Sequence, residues 1–388
     1  MTVTAEAGVR SRRDLVVLTA GHLIDDLYQG AVPALVPFFV AAHQWSYAEA
    51  SGITLAATLL SSVVQPVFGL LTDRRPMPWL VPVGMSVAGA GIGLSGLTSS
   101  YLMTWLAIAL SGLGVAAYHP EAARLARVAS RGSHTAMSWF SVGGSTGFAL
   151  APVAVAPLLE TFGVTATWPL LVPALAGAAL TTVLLRSTLR AARAAPPKRR
   201  AVEPVRDDWP AFAKLTVVII ARSIAVFGLG TFLALFVQQR LAAGVVTGEV
   251  ALVLFYGTGA VGILFGGRFA GRWGRAAVLR VSYALGVPAM AGLALVPGPV
   301  IFGFIVATAL ALFVPFSLHV TLGQDYLPNR VGTASGVTLG LAVSVGGLAA
   351  PVLGGLADAT GLRTALVVLI AMPLLAALMS LRIPDIDR

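Results

Sequence analysis

The chain has 388 residues, of which 57% are hydrophobic and only 11% charged, against about 25% charged in an ordinary soluble domain. Too little polar surface exists to coat a globule of this size, so the composition excludes a water-soluble protein and calls for lipid as the surrounding solvent. Cysteine is absent, which excludes disulfides, thiolate zinc sites and thiol redox chemistry, and the net charge of +10 lies in short loops between apolar runs rather than in a groove or arm suited to nucleic acid.

A membrane span needs about 20 mainly apolar residues. Read with that ruler, spans fall near 15–41, 48–72, 79–97, 101–127, 135–157 and 166–186. The first follows Arg10, Arg12 and Arg13 and so mimics a secretory signal. It is too long for one, carries His22, Asp25 and Asp26, and lacks a small-residue cleavage site, so it is expected to stay as the first membrane helix. After residue 186 the pattern breaks into APPKRR (Ala195 to Arg200) and EPVRDDWP (Glu203 to Pro210), whose prolines and charges suit an exposed linker over 187–210. Spans resume near 211–238, 247–268, 276–296, 299–321, 331–354 and 361–383. The expected fold is therefore an all-α membrane protein of twelve transmembrane helices in two pseudo-symmetric six-helix bundles, 1–186 and 211–388.

With the N-terminus placed inside, the inner loops hold Arg74, Arg75, Arg131, the linker cluster, Arg272, Arg275 and Arg330, whereas the outer loops hold Arg240 and Arg363. Basic loops face the cytoplasm, so both termini are expected there. The halves echo one another. GLLTDRR (Gly69 to Arg75) and GRFAGRWGR (Gly267 to Arg275) stand at the same offset as TAMS (Thr135 to Ser138) and TASG (Thr333 to Gly336), and Glu49 and Glu249 begin the second and eighth spans. Such repetition is the mark of secondary transporters that bind substrate between two halves.

These features resemble the major facilitator superfamily. Gly69, Asp73 and Arg74 match the glycine, acid and base of its loop between helices two and three, although the chain continues with PMPW (Pro76 to Trp79), and Gly271 stands in place of the acid in the second copy. More narrowly, GHLIDDLYQG (Gly21 to Gly30), QPVFGLLTDRRPMPWLVPVGM (Gln65 to Met85), YHPEAARLARVAS (Tyr118 to Ser130), SVGG (Ser141 to Gly144) and LPNRVGTASG (Leu327 to Gly336) resemble the fosmidomycin resistance family over nearly the whole chain. The resemblance implies the major facilitator fold in a bacterial inner membrane, working as a monomer. It also implies proton-driven efflux of a small molecule, of which a phosphonate antibiotic is the family's example. Proton-coupled uptake of a sugar or organic acid is the alternative, because the same fold and acids serve either direction.

The chemistry is expected from polar groups inside apolar spans, which are costly in lipid and so mark function. On a helix, His22, Asp26, Gln29 and Pro33 share one stripe with Asp25 at its margin. Asp26 is the expected principal proton carrier, shared with His22 or Glu121; Asp25 is read as structural. The structural reading of the others pairs Glu121 with Arg124 one turn on and His22 with Asp26. His119 and Glu121, two residues and about 200° apart, face opposite ways, so at most one looks squarely into a cavity. Candidate substrate contacts are Arg222 for an anionic group, with His119, Gln29, Gln65, Tyr118 and Trp139. Asp73 and Arg74 are expected to latch an inner gate.

His22, Asp26, His119 and Glu121 include metal-ligand types, but no HExxH or similar spacing is present, so neither a metal nor a cofactor is expected. No GxxxxGK[ST] loop appears, which leaves a gradient rather than ATP as the energy source. GLSG (Gly93 to Gly96), which presents Ser95, is the one hint of an intramembrane hydrolase. Four small residues in an apolar helix more simply pack helices.

Overall fold

The computed structural model describes residues 2–130, 134–184, 206–330, 333–334, 337–338 and 342–384. The expected linker lies mostly outside the described residues, as do the side chains of Asp73 and Arg74. All regular structure among the described residues is helical. It runs α1 (Thr2–His43), α2 (Tyr47–Arg74), α3 (Leu80–Ser95), α4 (Tyr101–Ala129), α5 (His134–Phe162), a 3₁₀ turn (Val164–Leu170) leading into α6 (Leu171–Leu184), α7 (Trp209–Leu241), α8 (Val245–Trp273), α9 (Arg275–Leu295), α10 (Ile301–Phe313), α11 (Phe316–Tyr326), α12 (Ala342–Thr360), α13 (Leu362–Leu369) and α14 (Ala371–Ser380). Ten stretches among these residues are long and apolar enough to cross a membrane. They include all the expected spans except the third, whose helix α3 has 16 residues, and the eleventh.

Local chemistry sets the breaks. Pro315 follows α10, and the span expected near 299–321 continues as α11 after that interruption. Gly163, Gly274 and Gly361 stand between helices with φ of 78°, 84° and 89°, where a side chain is strained. Asp208 caps α7 by accepting from the Ala211 N–H at 3.0 Å, with Pro210 in the first turn. Leu70, Leu106, Leu175, Leu264 and Leu285 are among many large apolar side chains left exposed, the surface expected of helices solvated by hydrocarbon.

Two compact units emerge. The first lies within Met1–Leu35 and Ala56–Arg199, the second within Val36–Leu55 and Arg200–Arg388. The tip of the α1–α2 hairpin, Val36–Leu55, is therefore grouped with the second unit, while the rest of both helices belongs to the first. In the first unit α3 and α4 approach backbone to backbone: a Cβ on Gly91 would sit 2.4 Å from Ser111 N, and one on Gly114 2.3 Å from Ala88 N. Helix α5 meets α1 through a glycine face, because Cβ atoms on Gly143 and Gly147 would sit 2.5 and 2.2 Å from the carbonyl oxygens of Thr19 and Leu23. In the second unit the hairpin docks on α12. Ser46 and Glu49 form a capping box at the start of α2, and Asp358 accepts from the N–H groups of Tyr47 and Ala48 at 2.8 and 2.9 Å.

Candidate functional site

The stretch HLIDDLYQG lies within the unbroken helix α1. Burial there is nearly complete: Asp25 is fully buried, and His22 and Asp26 are each 8% exposed. Three helices of the first unit build the site. Helix α1 sets His22 and Asp26 one turn apart, with Nε2 to Oδ2 at 3.4 Å. Helix α4, continuous through Pro120, brings His119, whose Nε2 is 3.1 Å from Asp26 Oδ1 and whose Nδ1 is 3.5 Å from Asp25 Oδ2. The two Nε2 atoms are 3.3 Å apart.

Helix α5 closes the site. Its Phe140 ring stacks on His22 with centroids 4.2 Å apart, and its Phe140 carbonyl accepts from His22 Nδ1 at 2.8 Å. Gly144 follows one turn on. A Cβ there would lie 2.3 Å from Asp26 Oδ2 and 2.7 Å from His22 Nε2, so only glycine lets α5 approach with the cluster in place. Two carboxylates and two imidazoles thus share one largely buried space between α1, α4 and α5.

The remaining expected residues divide. Tyr118 is fully buried beside His22, with its hydroxyl unbonded among the described residues. Gln29 and Gln65 are half-buried, whereas Trp139 is 63% exposed. Glu121 is fully buried but turned away from the cluster into a two-pronged pair with Arg124, whose Nε donates to Oε2 at 3.0 Å while Nη2 engages Oε1. The opposite facing of His119 and Glu121 on α4 accounts for that separation. Asp25, read as structural, sits behind His119, with Oδ2 3.5 Å from its Nδ1.

In the second unit Arg222 is buried rather than reaching for a surface. Its Nε donates to the Leu312 carbonyl at 2.6 Å, and its guanidinium lies 5.1 Å from the Phe313 ring centroid and 4.8 Å from that of Phe316. His319 is buried with Nε2 2.9 Å from the Tyr283 hydroxyl, while its Nδ1 has no hydrogen-bond partner among the described residues. Ser95 is buried with its hydroxyl donated to the Ile92 carbonyl at 2.7 Å, which removes it as a nucleophile.

Sequence reasoning passed over Glu249. It is 2% exposed on α8, and neither carboxylate oxygen has a hydrogen-bond partner among the described residues. The available signal was an acid five residues into an apolar span. Its echo with Glu49, which is an exposed capping group, made both look like helix starts.

Comparison with known proteins agrees with this architecture. Residues 18–351 match the sequence pattern of the Major Facilitator Superfamily. The chain is 31% identical over 385 residues to the fosmidomycin resistance protein of Escherichia coli K12, covering 96% of this chain and 92% of that protein. It is 30% identical over 378 residues to an uncharacterised MFS-type transporter, YfnC, of Bacillus subtilis, covering 94% of this chain and 91% of that one. Among solved structures, a bacterial homologue of the human lysosomal transporter Spinster, inward-facing and occupied, superposes with a TM-score of 0.72 at 16% identity, over 95% of this chain and 96% of that chain. An all-helical, multi-pass chain with two acids and an imidazole buried in its first helix, matched by this family along most of its length, belongs to the Major Facilitator Superfamily and is a secondary transporter rather than an enzyme.

Proposed function

We propose that this chain exports a small anionic molecule, with fosmidomycin-like phosphonates as the first class to test, in exchange for protons across a bacterial inner membrane with both termini cytoplasmic. The observation that carries the proton half is the cluster of Asp26, Asp25 and His22 on α1 with His119 on α4, which gathers titratable groups between two membrane-length helices. Asp26 is the principal carrier in this reading because it alone contacts both imidazoles. Glu121 is a secondary candidate, since its charge is already met by Arg124.

The substrate half draws on two supports. One is the 31% identity to a fosmidomycin resistance protein. The other is Arg222, a buried guanidinium held by ring faces, which suits a phosphonate or carboxylate. Gln29, Gln65, Tyr118, His119 and Trp139 complete the proposed contacts, and Asp73 and Arg74 the proposed inner latch. The test is reconstitution into proteoliposomes with an imposed pH gradient. Export predicts that fosmidomycin accumulates in the compartment from which protons flow, so substrate and protons move oppositely. Movement of both in the same direction would overturn antiport in favour of symport.

A further inference from the structure

The hydrogen bonds at the cluster fix both imidazole tautomers. A carbonyl oxygen only accepts, so His22 Nδ1, 2.8 Å from the Phe140 carbonyl, carries a hydrogen, and so does His119 Nδ1, 2.9 Å from the Val115 carbonyl. Each neutral ring therefore presents a bare lone pair at Nε2. These lone pairs face each other across 3.3 Å, and both face the Asp26 carboxylate, at 3.4 and 3.1 Å. Three acceptors converge with no donor of their own between them. Something positive belongs in the middle.

A proton satisfies only two of the three at once. A divalent ion satisfies all three, and the spacing suits it. Tetrahedral zinc with bonds of about 2.0–2.1 Å to nitrogen and oxygen has ligand-to-ligand edges of roughly 3.3 Å; here the two nitrogens stand 3.3 Å apart, and the carboxylate presents Oδ2 3.4 Å from His22 Nε2 and Oδ1 3.1 Å from His119 Nε2. Ligand atoms from His22, Asp26 and His119 all lie within 4.8 Å of one another.

The surroundings also fit. Metal-bound imidazoles characteristically donate their other N–H to a carbonyl or carboxylate. Here His22 does so to Phe140, and His119 to Val115 with Asp25 behind it at 3.5 Å.

We propose that His22, His119 and Asp26 form a binding site for one divalent transition-metal ion of the zinc class, with Asp25 as the supporting carboxylate. Its donors are nitrogen and oxygen, which favours zinc, cobalt(II) or nickel(II) over magnesium or calcium. This claim concerns binding to the protein at rest and does not depend on proton-coupled export, so either can fail without the other.

The test uses full-length protein purified in detergent without a polyhistidine tag and stripped with a chelator. Cobalt(II) is added and the visible absorption of tetrahedral cobalt followed. The expected result is a one-equivalent titration that zinc reverses and magnesium does not. His22→Ala and His119→Ala should each weaken it by roughly 100-fold or more, and Asp25→Asn by roughly 10–100-fold. No spectral change up to millimolar cobalt, or an unchanged titration in a folded His22→Ala/His119→Ala variant, would overturn the site. Should the variants fail to fold, zinc-edge X-ray absorption on the loaded wild-type protein decides: two imidazoles in the first shell support the site, and a shell without imidazole overturns it.

Discussion

The Nε2 atoms of His22 and His119 stand 3.3 Å apart with the Asp26 carboxylate against both. The pair joins α1 to α4, and its geometry depends on a third helix that contributes Phe140 against His22 and, one turn on, the missing side chain of Gly144. Gly144→Ala should therefore disable the site without touching any of its polar groups. The added Cβ would fall 2.3 Å from Asp26 Oδ2, so either the carboxylate rotates off His22 or α5 moves away. Transport in proteoliposomes should drop at least tenfold, while Gly303→Ala, with nothing within 4 Å of its Cβ, transports normally. Wild-type rates in folded Gly144→Ala would show that the close approach is unimportant.

Arg124 and Glu121 make a separate prediction about stability. Glu121 is fully buried, and its described partner is Arg124, one turn away. Removing the cation strands a buried charge, which costs about 3–5 kcal/mol, whereas replacing both members by apolar residues is close to neutral. Arg124→Leu should lower the melting temperature sharply, and Glu121→Leu/Arg124→Leu should recover most of the loss. Thermal unfolding in detergent checks both. A double variant as unstable as the single one would assign Arg124 a different main partner.

Glu249 is expected to behave in the opposite way. With neither oxygen hydrogen-bonded among the described residues, its carboxylate contributes burial cost and little else to the fold. Glu249→Leu should leave the melting temperature unchanged or raise it. A fall of several degrees would reveal a partner outside the described residues.

Asp358 fastens the start of α2 through two backbone N–H groups, an arrangement worth on the order of 1 kcal/mol for a capping carboxylate. The contact is exposed and rests on these two bonds. In Asp358→Ala, a cysteine placed at the buried Ser51, beside Gly354, should react faster with a water-soluble maleimide. The cysteine-free chain gives no background. Equal labelling rates with and without Asp358 would remove it as a clasp.

The helical fold was legible because lipid demands long apolar runs, and each run ends in proline, glycine or a polar turn. What the runs concealed were interruptions such as Pro315, where a continuous hydropathy signal covers two helices, α10 and α11. The stripe of His22 and Asp26 followed from helical spacing alone. Its completion did not: His119 lies 97 residues from His22, and no local spacing announces a ligand set assembled from α1 and α4. The role of Gly144 was equally hidden, since a glycine reads as helix packing until the atom it makes room for is known. The surroundings of Arg222 were hidden too, because depth along a helix says nothing about Phe313 and Phe316, which arrive from the α10–α11 stretch.

Arg222→Lys tests the anion-binding reading. Lysine keeps the charge but loses both the planar stacking on two rings and the Nε bond to Leu312, together worth about 1–3 kcal/mol. The KM for a transported phosphonate should rise by roughly tenfold or more with a smaller change in kcat. A variant with altered kcat and unchanged KM would move Arg222 from substrate binding to structure.

The most direct measurement follows the pH inside proteoliposomes as substrate is added, comparing wild-type protein with Asp26→Asn. The amide keeps the size of the side chain but takes up no proton at physiological pH. Proton exchange at Asp26 predicts a substrate-driven pH change in the wild type and none in the variant, which should still swap labelled for unlabelled substrate. A variant that moves protons with substrate as the wild type does would contradict the account.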